Sequence, residues 1–388
     1  MAERSADYRV GEAGDLGVSV EDVCAFYRRH WRREVAIGLP SFYQWQFCET
    51  PENAGKDVNC VVLDKNDEVA GIVGVNRRTF WLNGKPRKAA DLTTWIIAER
   101  LQGKGLGRKV LGFLQESYDA ILGLGVTPQA LVLYMTSGFQ YLRYVPRFVR
   151  VFDIEAIAEH AQIEKLGERL IHNWKQAERT PYAVHPVEAG KLVDCAHFLE
   201  GSFNYFTRDE DLLAWRYDRH PFFAYESFLI ESQGGKAAII LRVDHVAGMK
   251  VVHVIDCFGS DAALAGAVSF IDDYCLENAA SVTDFYCTAP AISRHFRARG
   301  WFSMVDDFWF QFIPLFYPPE WRTPPTTSMI YWARDDMIDL MDVARLHVTK
   351  GDMDMDRPTI ASYRSAGVVD EISKFGYGKP SSSKQKTD

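Results

Sequence analysis

Apolar and polar positions alternate in two registers along the chain. From Asn59 to Glu99, "NCVVLDKNDEVAGIVGVNRRTFWLNGKPRKAADLTTWIIAE", apolar runs are broken by "DKND" and "LNGKP". Runs rich in β-branched and aromatic residues between such turn signals predict an antiparallel meander. Then the period changes. Val110, Leu111, Leu114, Tyr118 and Ile121 recur at helical spacing, which predicts a helix after the glycine-rich "LQGKGLGRK". "EDVCAFYRRHWRREV" predicts an earlier helix, "QALVLYMTSGF" a later one ending at Gly138, and "VPRFVRVFDI" a strand that closes the first unit.

The pattern then returns. "FYQWQFCETPEN" (42–53) is echoed by "LLAWRYDRHPFF" (212–223), and "CVVLDKNDEVAGIVGV" (60–75) by "FLIESQGGKAAIILRV" (228–243). A repeat of this length implies a duplicated domain rather than a solenoid. The expected organisation is two similar α/β (α+β) domains at 16–155 and 185–325, joined by a linker helix over 156–184. Each is expected to hold a mixed, mostly antiparallel sheet flanked by helices. A C-terminal extension over 326–375 and a disordered tail, 376–388, complete the chain.

With 388 residues, 47% hydrophobic and 25% charged, the chain can bury two cores. A net charge of −8 argues against a general nucleic-acid binder or an anionic-membrane binder. Seven scattered cysteines without a CxxC pair point to reduced thiols in a cytoplasmic protein and to no metal site. The polar opening "MAERSADYRVGEAGDLG" does not look like a signal peptide, and no apolar run is long enough to span a membrane.

The glycine loop is the strongest candidate for chemistry. Between a strand and a helix, Gly103, Gly105 and Gly107 let the backbone curl around a group without Cβ obstruction, and Lys104, Arg108 and Lys109 add charge at the rim. The helix behind it leaves its first N–H groups free for an anion. The spacing is neither that of a P-loop nor a full dinucleotide fingerprint. Gln102-Gly103-Lys104-Gly105-Leu106-Gly107 instead resembles the Arg/Gln-x-x-Gly-x-Gly/Ala motif of the GNAT superfamily of acyl-CoA N-acyltransferases. A second stretch, from Ala130 through Leu133-Tyr134 to Gly138-Phe139, resembles that family's A-x-x-L-Y-x-K-x-G-F, with Ser137 near the usually basic position. The resemblance covers roughly residues 20 to 155.

The resemblance implies a role for each matching residue. Gln102, Gly103, Lys104, Gly105, Leu106, Gly107 and Arg108 would hold the pyrophosphate of acetyl-CoA or another short acyl-CoA. The backbone around Ile97 and Glu99 would bond the pantetheine arm. Tyr134 would protonate the departing thiolate, and Asp91, eleven residues before Gln102, would be the base that deprotonates the amine. The second half lacks the glycine motif and is expected to bind no acyl-CoA; it would supply one wall of the acceptor site. Asn204, Tyr205, Arg216, Tyr217, His253 and Asp256 are the candidates there, and "GDMDMDRP" (351–358) is read as an acidic turn. Tandem chains of this kind resemble bacterial enzymes that acylate nucleotide-linked amino sugars for lipopolysaccharide O-antigen and other surface glycans, as a monomer or weak homodimer. The alternatives are an acetyltransferase for a protein, peptide or small amine, a peptidoglycan-type aminoacyl transferase, and a non-catalytic binding protein with the same fold.

Overall fold

The computed structural model describes residues 8–31, 36–174, 179–317, 319–335, 337–352 and 356–367. The expected tail lies outside these residues. The meander forms as its pattern predicts: strands Cys60–Leu63, Val69–Leu82 and Lys85–Ile97 pair in antiparallel register. The hairpin at "LNGKP" turns on Asn83 (φ 54°) and Gly84 (φ 72°), the two positive φ values that a two-residue turn between twisted strands requires. At "DKND" the Asp64 carboxylate accepts from the backbone N–H of Asn66 and Glu68 and closes the turn.

Among the described residues two large sheets result, each flanked by helices, with two further two-stranded pairs. The first runs Arg9–Glu12, Cys60–Leu63, Val69–Leu82, Lys85–Ile97, Ala120–Leu124, Met329–Ala333, Gln140–Leu142, with Asn204–Phe206 joined to Val69–Leu82 and Leu346–His347 joined in turn to Asn204–Phe206. The second runs Phe302–Ser303, Arg147–Val151, Val282–Tyr286, Met249–Gly259, Gly235–Val246, Glu226–Ser232, Ala183–Pro186. The two halves therefore exchange strands. "VPRFVRVFDI" does form a strand, but Arg147–Val151 is hydrogen-bonded into the second sheet, where buried Arg147 pairs with Asp284 at 3.0 Å. Met329–Ala333, from the stretch expected to be an extension, takes the corresponding place in the first sheet. Neither sheet is built from one continuous segment, because neighbours in sequence are here not neighbours in space.

Among the described residues, the linker expected over 156–184 is not one helix: the short helical turns Ile154–Ile157 and Ala158–His160 come first, and the longer helix is Lys165–Trp174. Before it, Ala161–Ile163 pairs with Phe310–Phe312. After it, Ala183–Pro186 is already the edge of the second sheet.

The repeat seen in the sequence is a structural repeat. Gln44–Cys48 and Ala214–Asp218 each form one wide π-helical turn that continues a short α-helix. Their tryptophans meet where the halves join: Trp45 and Trp215 stack with centroids 4.7 Å apart, and Trp215 Nε1 donates to the Trp45 carbonyl at 3.3 Å. All seven cysteines are buried thiols. Among the described residues no helix is long and apolar enough to cross a membrane.

Candidate active site

Strand Lys85–Ile97 and strand Ala120–Leu124 run parallel but pair only over Ala89–Leu92 and Ala120–Gly123. Beyond Leu92 they part. A bulge helps to drive the separation: Thr94 sits at φ 41°, and the register with Val69–Leu82 slips between Ile72 and Gly74. On the side facing Ala120–Leu124, the backbone of Thr93–Ile97 is an edge that no strand among the described residues covers.

The chain then turns through Glu99–Leu101 into the glycine loop. Gly103 and Gly105 both lie at φ 78°, and Gly105 caps helix Leu106–Ser117 with no side-chain hydrogen bond. Residues 102–105 are exposed. Gln102 Nε2 donates to the Ile97 carbonyl at 3.2 Å, which ties the loop to the end of the strand. The first intrahelical bonds run from Arg108 and Lys109 N–H to Gly105 O, so the N–H groups of Leu106 and Gly107 open the helix toward the loop. Leu106 is buried, whereas the Arg108 side chain is exposed at the rim.

Tyr134 stands on helix Pro128–Thr136 beside the fork. Its ring is 95% buried, edge-on to Trp95 at 5.4 Å and to Phe139 at 5.1 Å. Burial alone pushes its hydroxyl far above the ordinary tyrosine range, so it is protonated at neutral pH. Trp95 and Leu133 also close on Gly107, where a Cβ would come within 2.5 Å of a Leu133 methyl. Glycine loop, open strand edge and Tyr134 are thus brought together.

Asp91 lies at the paired root of the fork, 1% exposed, and accepts from Asn76 Nδ2 at 2.9 Å. Asn76 lines a cleft of about 440 Å³ between the two halves. Its walls are Phe42, Trp45 and Gln46 on the first π-turn, Trp215 and Arg216 on the second, Arg78 beside Asn76, and Gly351, Asp352, Asp356 and Arg357. Of the residues that sequence reasoning placed on the second-half wall, Arg216 reaches the cleft, donating to the Gly351 and Asp356 carbonyls. Tyr217 and Asp256 lie deeper, in the Arg208 cluster. Asn204 and Tyr205 belong to a strand paired with Trp81 and Phe80, and His253 is held between Asp284 and Asp244. Trp45 and Trp215, visible in the sequence as a repeat, line the cleft, but nothing in the sequence marked them as parts of one site.

The second half has its own fork, and it is filled. Strands Met249–Gly259 and Val282–Tyr286 pair over Val251–Val254 and then separate. The segment from Leu346 to Asp352 enters the gap: Gly351 N–H donates to Ile255 O at 2.9 Å, His347 Nε2 contacts Cys257 O at 3.2 Å, and Thr349 bridges to Cys287. The segment is fastened by buried charge. Asp352 pairs with Arg208 at 2.6 Å and Asp356 with Arg242 at 2.8 Å, and the arginines hold both carboxyls below the usual carboxylate range despite full burial. "GDMDMDRP" is therefore no solvated acidic turn at these two positions; residues 353–355 lie outside the description. At the place of Tyr134, helix Pro290–Ala298 carries Phe296, stacked on Phe285 and without a hydroxyl.

Comparison with known proteins fits this geometry. Residues 21–129 match the model of the Acetyltransferase (GNAT) family. No curated protein matches the sequence. The structure is similar to a GCN5-related N-acetyltransferase from Anabaena variabilis (TM-score 0.52, 12% identity, 84% of this chain and 72% of that one). It is similar to another from Kribbella flavida (TM-score 0.52, 16% identity, 85% and 71%). A probable N-acyltransferase from Enterococcus faecalis V583 gives TM-score 0.55 at 10% identity over 84% and 72%. At these identities the structures speak to the fold. With the family match at residues 21–129, that fold supports an enzyme of the acyl-CoA-dependent N-acyltransferase class.

Proposed function

We propose that the chain transfers an acyl group from acetyl-CoA or another short acyl-CoA to the amine of a nucleotide-linked amino sugar. One observation carries the transfer reading: the first half keeps a strand edge, uncovered by any strand among the described residues, between a glycine turn and a buried tyrosine, whereas the equivalent fork of the second half is occupied by its own chain.

In this reading the N–H groups at Gly105–Gly107 and the positive end of helix Leu106–Ser117 bind the pyrophosphate. The edge Thr93–Ile97 pairs with the amides of the pantetheine arm, as an added strand would. The thioester then lies near Tyr134. The free amine attacks its carbonyl carbon, a C–N bond forms and the C–S bond breaks. Tyr134 gives its proton to the departing thiolate and regains one from the attacking nitrogen. The acyl-CoA stoichiometry is one per chain.

The cleft chemistry supports the acceptor. Trp45 and Trp215 offer aromatic surface to a nucleobase, and Arg78, Arg216 and Arg357, though already bonded to the Asp352, Thr207, Gly351 and Asp356 carbonyls and to Thr93, line the cleft with positive charge suited to a diphosphate. A cationic peptide or polyamine would need available carboxylates, but Asp352 and Asp356 are engaged by Arg208 and Arg242. The test is a thiol-release screen that crosses acetyl-CoA and 3-hydroxybutyryl-CoA with UDP- and dTDP-linked amino sugars. Release with one sugar supports the reading and defines the acceptor. Release only with peptides or simple amines overturns the sugar assignment, and none with any amine overturns acyl transfer.

A further inference from the structure

We infer that Asn76, held in place by Asp91, is the seat of the acceptor amine; the inference rests on the N-acyl transfer reading above. Side chains alternate along a strand, so Asn76 and Arg78 share one face of the sheet with Asp91 and Thr93 of the neighbouring strand. Arg77 points to the other face, where it pairs with Glu12.

Asp91 is 1% exposed, so it meets the cleft through Asn76. The Asn76 side chain donates through Nδ2 to Asp91 Oδ2 at 2.9 Å. With Asp91 Oδ2 as the acceptor of this bond, the amide orientation is set by the hydrogen-bond geometry and Oδ1 is turned away from Asp91. That oxygen is buried and has no hydrogen-bond partner among the described residues. From the opposite wall, Gln46, 6% exposed, contributes a second buried carbonyl oxygen without a partner among them. Two acceptor atoms in this state lack the donors that buried polar groups ordinarily find. A primary amine or its ammonium brings two or three.

The position suits the reaction. Thr93, the first residue past the paired part of the fork, is two residues beyond Asp91, about 7 Å along the strand. An amine on Asn76 is therefore next to the edge along which the thioester arrives. The second half provides the contrast. There Arg242 and His253 occupy the positions of Asn76 and Asp91, and both are consumed: Arg242 by Asp356 and Asp244, His253 by Asp284 and Asp244. Asp91 is thus a positioning residue. It keeps Asn76 from flipping and strengthens Oδ1 as an acceptor through the shared hydrogen-bond chain.

Steady-state thiol release by the full chain, with the UDP- and dTDP-amino-sugar panel, tests this. Asn76→Ala should raise the KM for the amine roughly tenfold and leave the KM for acetyl-CoA within about twofold. Asp91→Asn should raise the amine KM several-fold in the wild-type background and do nothing more in Asn76→Ala, because it acts only through Asn76. An unchanged amine KM in Asn76→Ala, or an Asp91→Asn effect that persists in that background, overturns the seat while leaving acyl transfer intact. Wild-type chain that releases no thiol with any amine removes both. If Asn76→Ala also loses acetyl-CoA binding, Gln46→Leu on the opposite wall carries the same test: a raised amine KM supports the seat and an unchanged one overturns it.

Discussion

Replacing Gly105 by alanine separates a binding loop from a mere connection. The residue sits at φ 78°, and a Cβ built there meets no heavy atom within 4 Å. Steric collision therefore contributes nothing, and the whole cost is that of holding an L-residue in the left-handed region, about 1–2 kcal/mol. The substituted loop can escape that cost by relaxing to negative φ, but then the N–H groups opening helix Leu106–Ser117 no longer converge. If acyl-CoA demands the present loop, its binding must repay the difference, and affinity falls by about 5- to 30-fold. Gly112 provides the control within the same helix. It too has no neighbour within 4 Å of an added Cβ, but its backbone is helical, so Gly112→Ala should stabilise by about 0.5–1 kcal/mol and leave affinity unchanged. Calorimetric titration with acetyl-CoA and urea unfolding of both variants give the two numbers. Unaltered acetyl-CoA affinity in Gly105→Ala with unaltered stability, the sign that the loop has relaxed without loss of binding, would refute the pyrophosphate assignment of the loop.

Three further outcomes are expected. Tyr134→Phe should lower kcat about 100-fold or more while acetyl-CoA affinity stays put; an unchanged kcat removes the hydroxyl from the mechanism. His347 is fully buried and its pKa is pushed down to about 4, against 6.5 when solvated. The unfolded chain thus binds the extra proton first, and stability present above pH 6.5 drains away as pH falls toward 4, by about 3 kcal/mol in total. His347→Gln should flatten that part of the stability curve in urea titrations at stepped pH, and an equally steep curve would place the proton uptake elsewhere. A fragment of residues 1–155 should not fold alone: it lacks Met329, Ile330 and Tyr331, each at least 95% buried in its sheet, at about 1.5–3 kcal/mol apiece. A synthetic peptide of residues 326–335 should restore cooperative unfolding to the fragment; a cooperative transition without the peptide contradicts the exchange.

What could be seen in the sequence was local. The loop motif, Tyr134 and the hairpin at Asn83-Gly84 are each set by a few adjacent residues, and their geometry follows from φ preferences and period. The duplication was also visible, because Trp45 and Trp215 sit in matching short patterns. The cleft was not. Asn76, Arg78, Trp215 and Arg357 are separated by up to about 280 residues, and nothing near any of them announces the others. Charge was misleading in the same way: Asp352 and Asp356 look like a solvated turn until Arg208 and Arg242 are found beside them. Strand exchange lies beyond pattern reading altogether, since an apolar strand such as "RFVRV" has the same alternation whichever sheet receives it.

The exchanged strands also set a timetable for synthesis. The first sheet lacks an interior member until Met329–Ala333 has been made, although its other strands through Gln140–Leu142 are complete some 190 residues earlier. At roughly 5–20 residues per second, that sheet waits on the order of 10–40 s on the ribosome with a gap between Ala120–Leu124 and Gln140–Leu142. Two unpaired β-edges exposed for that long are a template for wrong pairing. The chain accordingly depends on being shielded while nascent, and slowing translation between residues 142 and 333 should lower its soluble yield.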